Sequence, residues 1–246
     1  MQAVILAAGI AKRLRPLTDN TPKCLLKVGK TNLLHRTLDN LISNGINDFV
    51  FVLGYRGNMI MDYLNKNFST INKTVLTNPD YENNNNSYSL WMTKDCVKDS
   101  MLLLDSDILF DKNIIKELIN SGKENCLAVN ITHKLDAEQI KVITDIDNRI
   151  LKIGKEVEIL KAAGESIGIE KFNRYYLKDL FDILDRKIIA EKNVNEFYEA
   201  SFQEIIDKNE ERNSLFGVDV SNYDCIEIDT VDDYNNANEI FFKINK

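Results

Sequence analysis

Short apolar runs alternate with amphipathic stretches along most of the chain, and this alternation restricts the fold more than any other feature. Residues 3–7 read as a buried strand, 32–43 as a helix and 48–53 as a second strand. In the helix, Leu33, Leu34, Leu38, Leu41 and Ile42 recur on one face, and Gly45 stands where a helix stop belongs. Strands separated by helices build βαβ units around a parallel sheet, because parallel neighbours need a crossover between them. The pattern continues with a helix over 58–67, a strand over 73–77, a helix over 88–93, and an apolar strand over 101–104 that ends on Asp105. A helix over 114–120 follows.

Beyond residue 124 the pattern changes. Residues 125–132 and 139–144 read as strands, Asp147-Asn148 as a tight turn, and 150–153 as the return strand of a hairpin. The stretch 125–172, closed by a strand over 166–172, is expected to be an antiparallel elaboration beside the main sheet. Helices over 175–186 and 197–208 and a late strand over 225–228 complete the reading, with the charged stretch 187–196 as a solvated connection. One domain over 1–246 accounts for all of it.

Composition narrows the function classes. Hydrophobic residues are 44% and charged residues 28% of the chain, enough apolar mass for a sizeable core. A net charge of -7 and a pI near 5.1 exclude a broad surface for nucleic acid or anionic membrane, which needs clustered Lys and Arg. Cys24, Cys96, Cys126 and Cys225 are too scattered for a zinc site or a disulfide framework. No basic segment followed by a long apolar one opens the sequence, and no apolar run is long enough for a bilayer, so the expected location is the cytoplasm with no membrane contact. The oligomeric state stays open, a homodimer being the assembly considered.

The first chemical signal follows the first strand. Leu6-Ala7-Ala8-Gly9 is a run of small residues whose backbone N–H groups can approach an anion closely, and Arg13, Arg15 and Lys23 add cations to the same loop. Pro16 and Pro22 stiffen its return. The loop lacks the Gly-Lys-Ser/Thr ending of a Walker A motif and is not G-x-G-x-x-G. The second signal is a pair of acidic segments at strand ends, where an open α/β sheet presents its ligand crevice. Asp105-Ser106-Asp107 closes one apolar strand and Asp229 follows Ile226 and Ile228. Two aspartates from distant segments suit Mg²⁺, which takes carboxylate oxygens together with substrate phosphates and water.

The stretch Leu6-Ala-Ala-Gly-x-x-x-Arg13-Leu14-x-Pro16-Leu17-Thr18-x-x-x-Pro22-Lys23 resembles the signature of the sugar-phosphate nucleotidyltransferases, a family that includes the cytidylyltransferases activating phosphocholine. Leu-Leu-Asp-Ser-Asp and Ile-Asp-Thr-Val-Asp-Asp-Tyr resemble later blocks of that family in the expected order. The resemblance implies an α/β, Rossmann-like nucleotidyltransferase fold, with a mainly parallel central sheet and helices on both faces. It also implies nucleotide contacts from Leu6, Ala7, Ala8, Gly9, Arg13, Lys23, Gly54, Tyr55, Asn86, Ser89 and Asp105. Catalytic roles fall to Arg13, Lys23 and Asp107, and Asp107 and Asp229 become the Mg²⁺ ligands. One departure is Ala11, where the family loop usually has a glycine. No general base is needed, because a phosphate monoester is largely deprotonated near neutrality. His35 and His133 are therefore read as structural or surface residues.

Asn85-Asn86-Ser87-Tyr88-Ser89-Leu90 looks like the phosphocholine branch and favours CTP with a small phosphorylated acceptor. An ammonium group is held by aromatic faces and carboxylates, for which Tyr81, Tyr88, Trp91, Tyr198 and Glu199 are candidates. Glu165 resembles the acceptor-side glutamate of the family. Two rival readings remain: a sugar 1-phosphate nucleotidyltransferase using CTP, UTP or dTTP, and a catalytically inactive nucleotide-binding subunit.

Overall fold

The computed structural model describes residues 1–244. Asn245 and Lys246, included in the single-domain expectation, lie outside the described residues. The strands are β1 (Gln2–Ala7), β2 (Lys27–Val28), β3 (Thr31–Asn32), β4 (Asp48–Leu53), β5 (Asn72–Thr77), β6 (Met101–Asp105), β7 (Ile108–Phe110), β8 (Cys126–Asn130), β9 (Lys141–Thr144), β10 (Ile150–Gly154), β11 (Gly164–Phe172), β12 (Phe216–Asp219) and β13 (Cys225–Glu227). The helices are α1 (Leu33–Ser43), α2 (Gly57–Asn67), α3 (Asn86–Trp91), α4 (Asn113–Asn120), α5 (Arg174–Asp185), α6 (Glu199–Asp207) and α7 (Val231–Ile244).

Among the described residues nine strands share one sheet, whose main path runs β10-β9-β11-β6-β1-β4-β5. The pairs β6-β1, β1-β4 and β4-β5 are parallel, as the βαβ reading requires. The antiparallel elaboration is a continuation of this sheet rather than a layer beside it, since β11 pairs antiparallel with β6 and carries β8 and β9 in turn.

Every residue of β1 is buried, which explains the unbroken apolar run over residues 3–7: a central parallel strand is covered on both faces. Ala3, Ile5 and Ala7 point to one face and pack with Leu38 and Leu41 of α1, Ile60 and Leu64 of α2, and Ile115 of α4. Val4 and Leu6 point to the other, among Tyr176 and Leu180 of α5 and Phe202 of α6. Helix α1 begins at Asn32, whose side chain accepts from the His35 N–H at 2.8 Å and satisfies one donor of the first turn.

The stretch 187–196 departs from the sequence reading. Its first residues form a π-helical turn over Arg186–Ala190, and Lys187 and Ile188 are buried. The Lys187 ammonium lies 2.5 Å from Glu196 and 2.8 Å from Glu204, so a charged residue occupies the interior because two acids surround it. Beyond β13, the backbone and hydroxyl of Thr230 bond to Asp233 and the Asp233 N–H returns to the hydroxyl, a reciprocal cap that starts α7. No described helix is long and apolar enough to cross a membrane.

Candidate active site

The chain runs from β1 outward to β4 and β5, then returns to place β6 on the other side of β1. Loops leaving β1 and β6 therefore diverge at their carboxyl ends, and a crevice opens between them. It is a cavity of about 1180 Å³.

The loop after β1 is held from below and open above. Thr18 donates to the Ala11 carbonyl at 2.9 Å, and the Tyr55 N–H donates to the Ala8 carbonyl at 3.0 Å. A Cβ at Gly54 would stand 2.6 Å from the Ala8 oxygen, so only glycine lets the loop settle this deeply on the end of β4. Space in front of Gly9 is clear, leaving the backbone accessible from the cavity. Ala11 has φ 53° and ψ 55°, the left-handed conformation that a glycine takes without strain.

Lys23 lies at the centre of the charged groups. Its ammonium donates to Asp107 Oδ2 at 2.8 Å and to Asp229 Oδ1 at 2.6 Å, while Arg13 bonds to the other Asp229 oxygen. Asp107 follows β6; Asp229 follows β13, where the Ile228 N–H donates to the Asp107 carbonyl at 3.1 Å and locks the two segments together. Burial lowers the Lys23 pKa, but Asp107 and Asp229 more than offset this and hold it above its usual range. Burial works against the Asp229 charge, and Lys23 and Arg13 outweigh it and hold the carboxyl below the usual range.

Glu227 joins this pair: single oxygens of Asp107, Glu227 and Asp229 lie within 4.8 Å of one another. Water reaches Glu227 through the cavity, yet confinement by protein and the neighbouring Asp107 and Asp229 charges push its carboxyl up to about 9. Asp107 Oδ1 is buried without a hydrogen-bond partner among the described residues. An all-oxygen donor set with one unused buried oxygen fits a hard divalent cation. The sequence reading missed Glu227, although its spacing of two from Asp229 is the spacing that returns strand residues to one face.

The opposite wall is also charged. His133 Nδ1 lies 2.6 Å from Glu165, and contacts with Cys225 and Glu165 push its pKa up to about 10. His133 lines the cavity. Lys155 faces the ring of Phe197 at 4.9 Å and lies 3.4 Å from Glu138, which itself reaches Arg13 at 3.6 Å. Glu199, at the start of α6, lines the cavity with its Oε2 buried and unpartnered among the described residues; burial pushes it up to about 7. Asp105 accepts from the Tyr198 hydroxyl at 2.9 Å, and burial followed by the Asp107 and Glu199 charges raises its pKa. Gly168, at φ 72°, leaves room for it, since a Cβ there would be 3.0 Å from Asp105 Oδ2.

Leu6, Ala7, Ala8, Gly9, Arg13, Lys23, Asn86, Ser89, Asp105, Asp107, Glu165, Glu199 and Asp229 all line this one cavity. Gly54 and Tyr55 stand beneath the loop instead, the Tyr55 hydroxyl lying 2.8 Å from the carbonyls of Thr18 and Asp19. Tyr88 and Trp91 are off the wall: α3 turns them toward the core under α5, where the indole donates to Asp185 at 2.6 Å. Tyr198 is fully buried and reaches the cavity only through Asp105. Of the aromatic candidates only Tyr81 lines the cavity, and among the described residues Phe197 joins it there.

The nucleotidyl transferase family matches residues 2–150, the part that carries the loop, β6 and both acids of the Asp105-Ser106-Asp107 turn. This chain is a nucleotidyl transferase. Among its relatives, a CTP:phosphoglutamine cytidylyltransferase of Campylobacter jejuni is 29% identical over 95% of this chain and 97% of its own. A choline-phosphate cytidylyltransferase of Streptococcus pneumoniae is 26% identical over 98% of both. The solved structure of a CTP:phosphocholine cytidylyltransferase from Streptococcus pneumoniae superimposes with a TM-score of 0.82 over 98% of each chain at 24% identity, so this nucleotidyl transferase shares its fold.

Proposed function

We propose that the chain transfers CMP from CTP to the phosphoryl or phosphonyl oxygen of a small aminoalkyl acceptor, phosphocholine or a relative such as 2-aminoethylphosphonate, within a single domain. The observation that carries the reading is the Lys23 ammonium between Asp107 and Asp229, under an open small-residue loop. Relatives named as CTP-dependent cytidylyltransferases support the nucleotide.

In this reading the backbone of Ala8 and Gly9 and the Arg13 guanidinium receive the triphosphate, and Asn86 and Ser89 border the nucleoside. Asp107, Glu227 and Asp229 would hold Mg²⁺, which when bound neutralises phosphate charge and polarises the α-phosphoryl group. The acceptor oxygen attacks the α-phosphorus, the bond to the β-phosphate oxygen breaks, and the electron pair leaves with pyrophosphate. Lys23 meets the charge that develops at the α-phosphoryl oxygens. The acceptor oxygen is already deprotonated, so no residue needs to remove a proton.

Glu199, with its free oxygen, and the ring of Phe197 border the acceptor end, with Glu165 held in place by His133. A primary ammonium brings N–H donors to that carboxyl, whereas a trimethylammonium depends on ring faces. With Trp91 and Tyr88 turned away, the wall favours the primary ammonium. Pyrophosphate release with Mg²⁺ and CTP, screened against phosphocholine, phosphoethanolamine, 2-aminoethylphosphonate and sugar 1-phosphates, tests this. Turnover with an ammonium-bearing acceptor is expected; turnover confined to a sugar 1-phosphate would overturn the acceptor assignment.

A further inference from the structure

The groups that would hold the metal and the groups that would hold the phosphates hold each other. Lys23 is buried and spends two of its three N–H donors on Asp107 Oδ2 and Asp229 Oδ1. Arg13 takes the remaining oxygen of Asp229. A divalent cation seeking Asp107 and Asp229 therefore meets an ammonium already bonded to both. Two like charges sharing the same two carboxylates repel, and the burial of Lys23 leaves its ammonium less screened than an exposed one would be. The converse holds for the triphosphate, whose two best-placed cations are already neutralised by carboxylates.

Resting on the nucleotidyltransferase reading above, we propose that Lys23 is an internal counter-cation that must pass from the Asp107–Asp229 pair to the phosphates, so that metal and nucleotide each release the group the other requires. The bare metal and the bare nucleotide then bind weakly, and the charged centre assembles only when both arrive. The side chain needs no large excursion, since Lys23, Asp107 and Asp229 line the same cavity as the small-residue loop. The orphaned Asp107 Oδ1 is the one oxygen of the pair left for an incoming cation while Lys23 stays in place.

The interlock predicts gains of binding from variants that ordinarily weaken such a site, and misfolding cannot mimic a gain. Mn²⁺, followed by its free-ion spin-resonance signal without nucleotide, should bind Lys23→Met about 10-fold or more tighter than wild type, within the usual range for coupled sites. Lys155→Met removes a cation from the same cavity that makes no ion pair with Asp107 or Asp229 among the described residues, and should change Mn²⁺ affinity far less. Reciprocally, CTP in excess chelator should bind Asp107→Asn several-fold tighter than wild type, with Asp136→Asn, an acid of the same cavity that makes no ion pair with Lys23 or Arg13 among the described residues, as the charge-matched control showing a smaller gain. The proposal is overturned if Lys23→Met binds bare Mn²⁺ no better than Lys155→Met, or if Asp107→Asn gains no more than Asp136→Asn. If wild type binds no CTP even with saturating Mn²⁺, the underlying nucleotidyltransferase reading is what fails.

Discussion

The ammonium of Lys23 stands 2.6 Å from Asp229 Oδ1 although the two residues are 206 positions apart in the chain. The loop after β1 brings the lysine and the end of β13 brings the aspartate, so the charged centre exists only when the amino-terminal and carboxy-terminal parts of the chain have packed together. The hydrogen bond from the Ile228 N–H to the Asp107 carbonyl fixes the third participant.

Ala11 holds a left-handed conformation without being glycine. Such a conformation costs an L-residue roughly 1–2 kcal/mol, and glycine's extra freedom in the unfolded chain returns part of that. Ala11→Gly is therefore expected to raise stability by about 0.5–1 kcal/mol in a denaturant titration. A fall of that size would show that the methyl group makes contacts that outweigh the strain.

Gly54 carries the reverse expectation. A Cβ would meet the Ala8 oxygen at 2.6 Å and the Tyr81 Cβ at 2.9 Å, so Gly54→Ala must push the loop toward the cavity. Overpacking of this kind costs roughly 1–3 kcal/mol. The melting temperature should fall, and the KM for nucleotide should rise more than kcat changes. Unaltered KM with lowered stability would detach the loop position from nucleotide binding.

Glu199 links pH to stability. Its carboxyl is pushed up to about 7 by burial, against an ordinary value of 4.5 in the unfolded chain, so the folded protein binds a proton that the unfolded chain releases. Its contribution is fully present below pH 4.5 and is lost as pH rises through about 7. Between pH 5 and 8 this group alone should remove roughly 2 kcal/mol, by linkage at about 1.4 kcal/mol per unit. Glu199→Gln should flatten the ligand-free stability profile over that range and be the more stable protein at pH 8. An unchanged slope would assign the pH dependence to other buried acids, Glu170 and Asp105 among them.

The parallel part of the sheet and the helix faces were legible in sequence because burial there follows simple periods. The unbroken run of β1 and the helical spacing of α1, with Asn32 as its cap, each have one physical reading. The loop cations and both aspartates were legible because strand ends and small-residue loops are where charge is presented. The aromatic residues were not. Tyr88 and Trp91 sit on a six-residue helix whose rotation is decided by packing against α5, and no local period reveals which way it faces. Lys187 was misread for a related reason: its burial depends on Glu196 and Glu204, which tertiary structure brings to it. Glu227 carried a signal, its strand spacing from Asp229, that the acid pair Asp107 and Asp229 overshadowed.

The most direct test of the central claim is a ³¹P NMR time course of wild type with Mg²⁺, CTP and phosphoethanolamine or 2-aminoethylphosphonate, alongside Asp107→Ala. The account predicts a new pyrophosphate-type linkage between CMP and the acceptor, appearing in step with free pyrophosphate and reduced by about 10²-fold or more in the variant. Wild type that binds CTP yet forms neither product with any acceptor, phosphocholine and sugar 1-phosphates included, would contradict it and favour an inactive nucleotide-binding subunit.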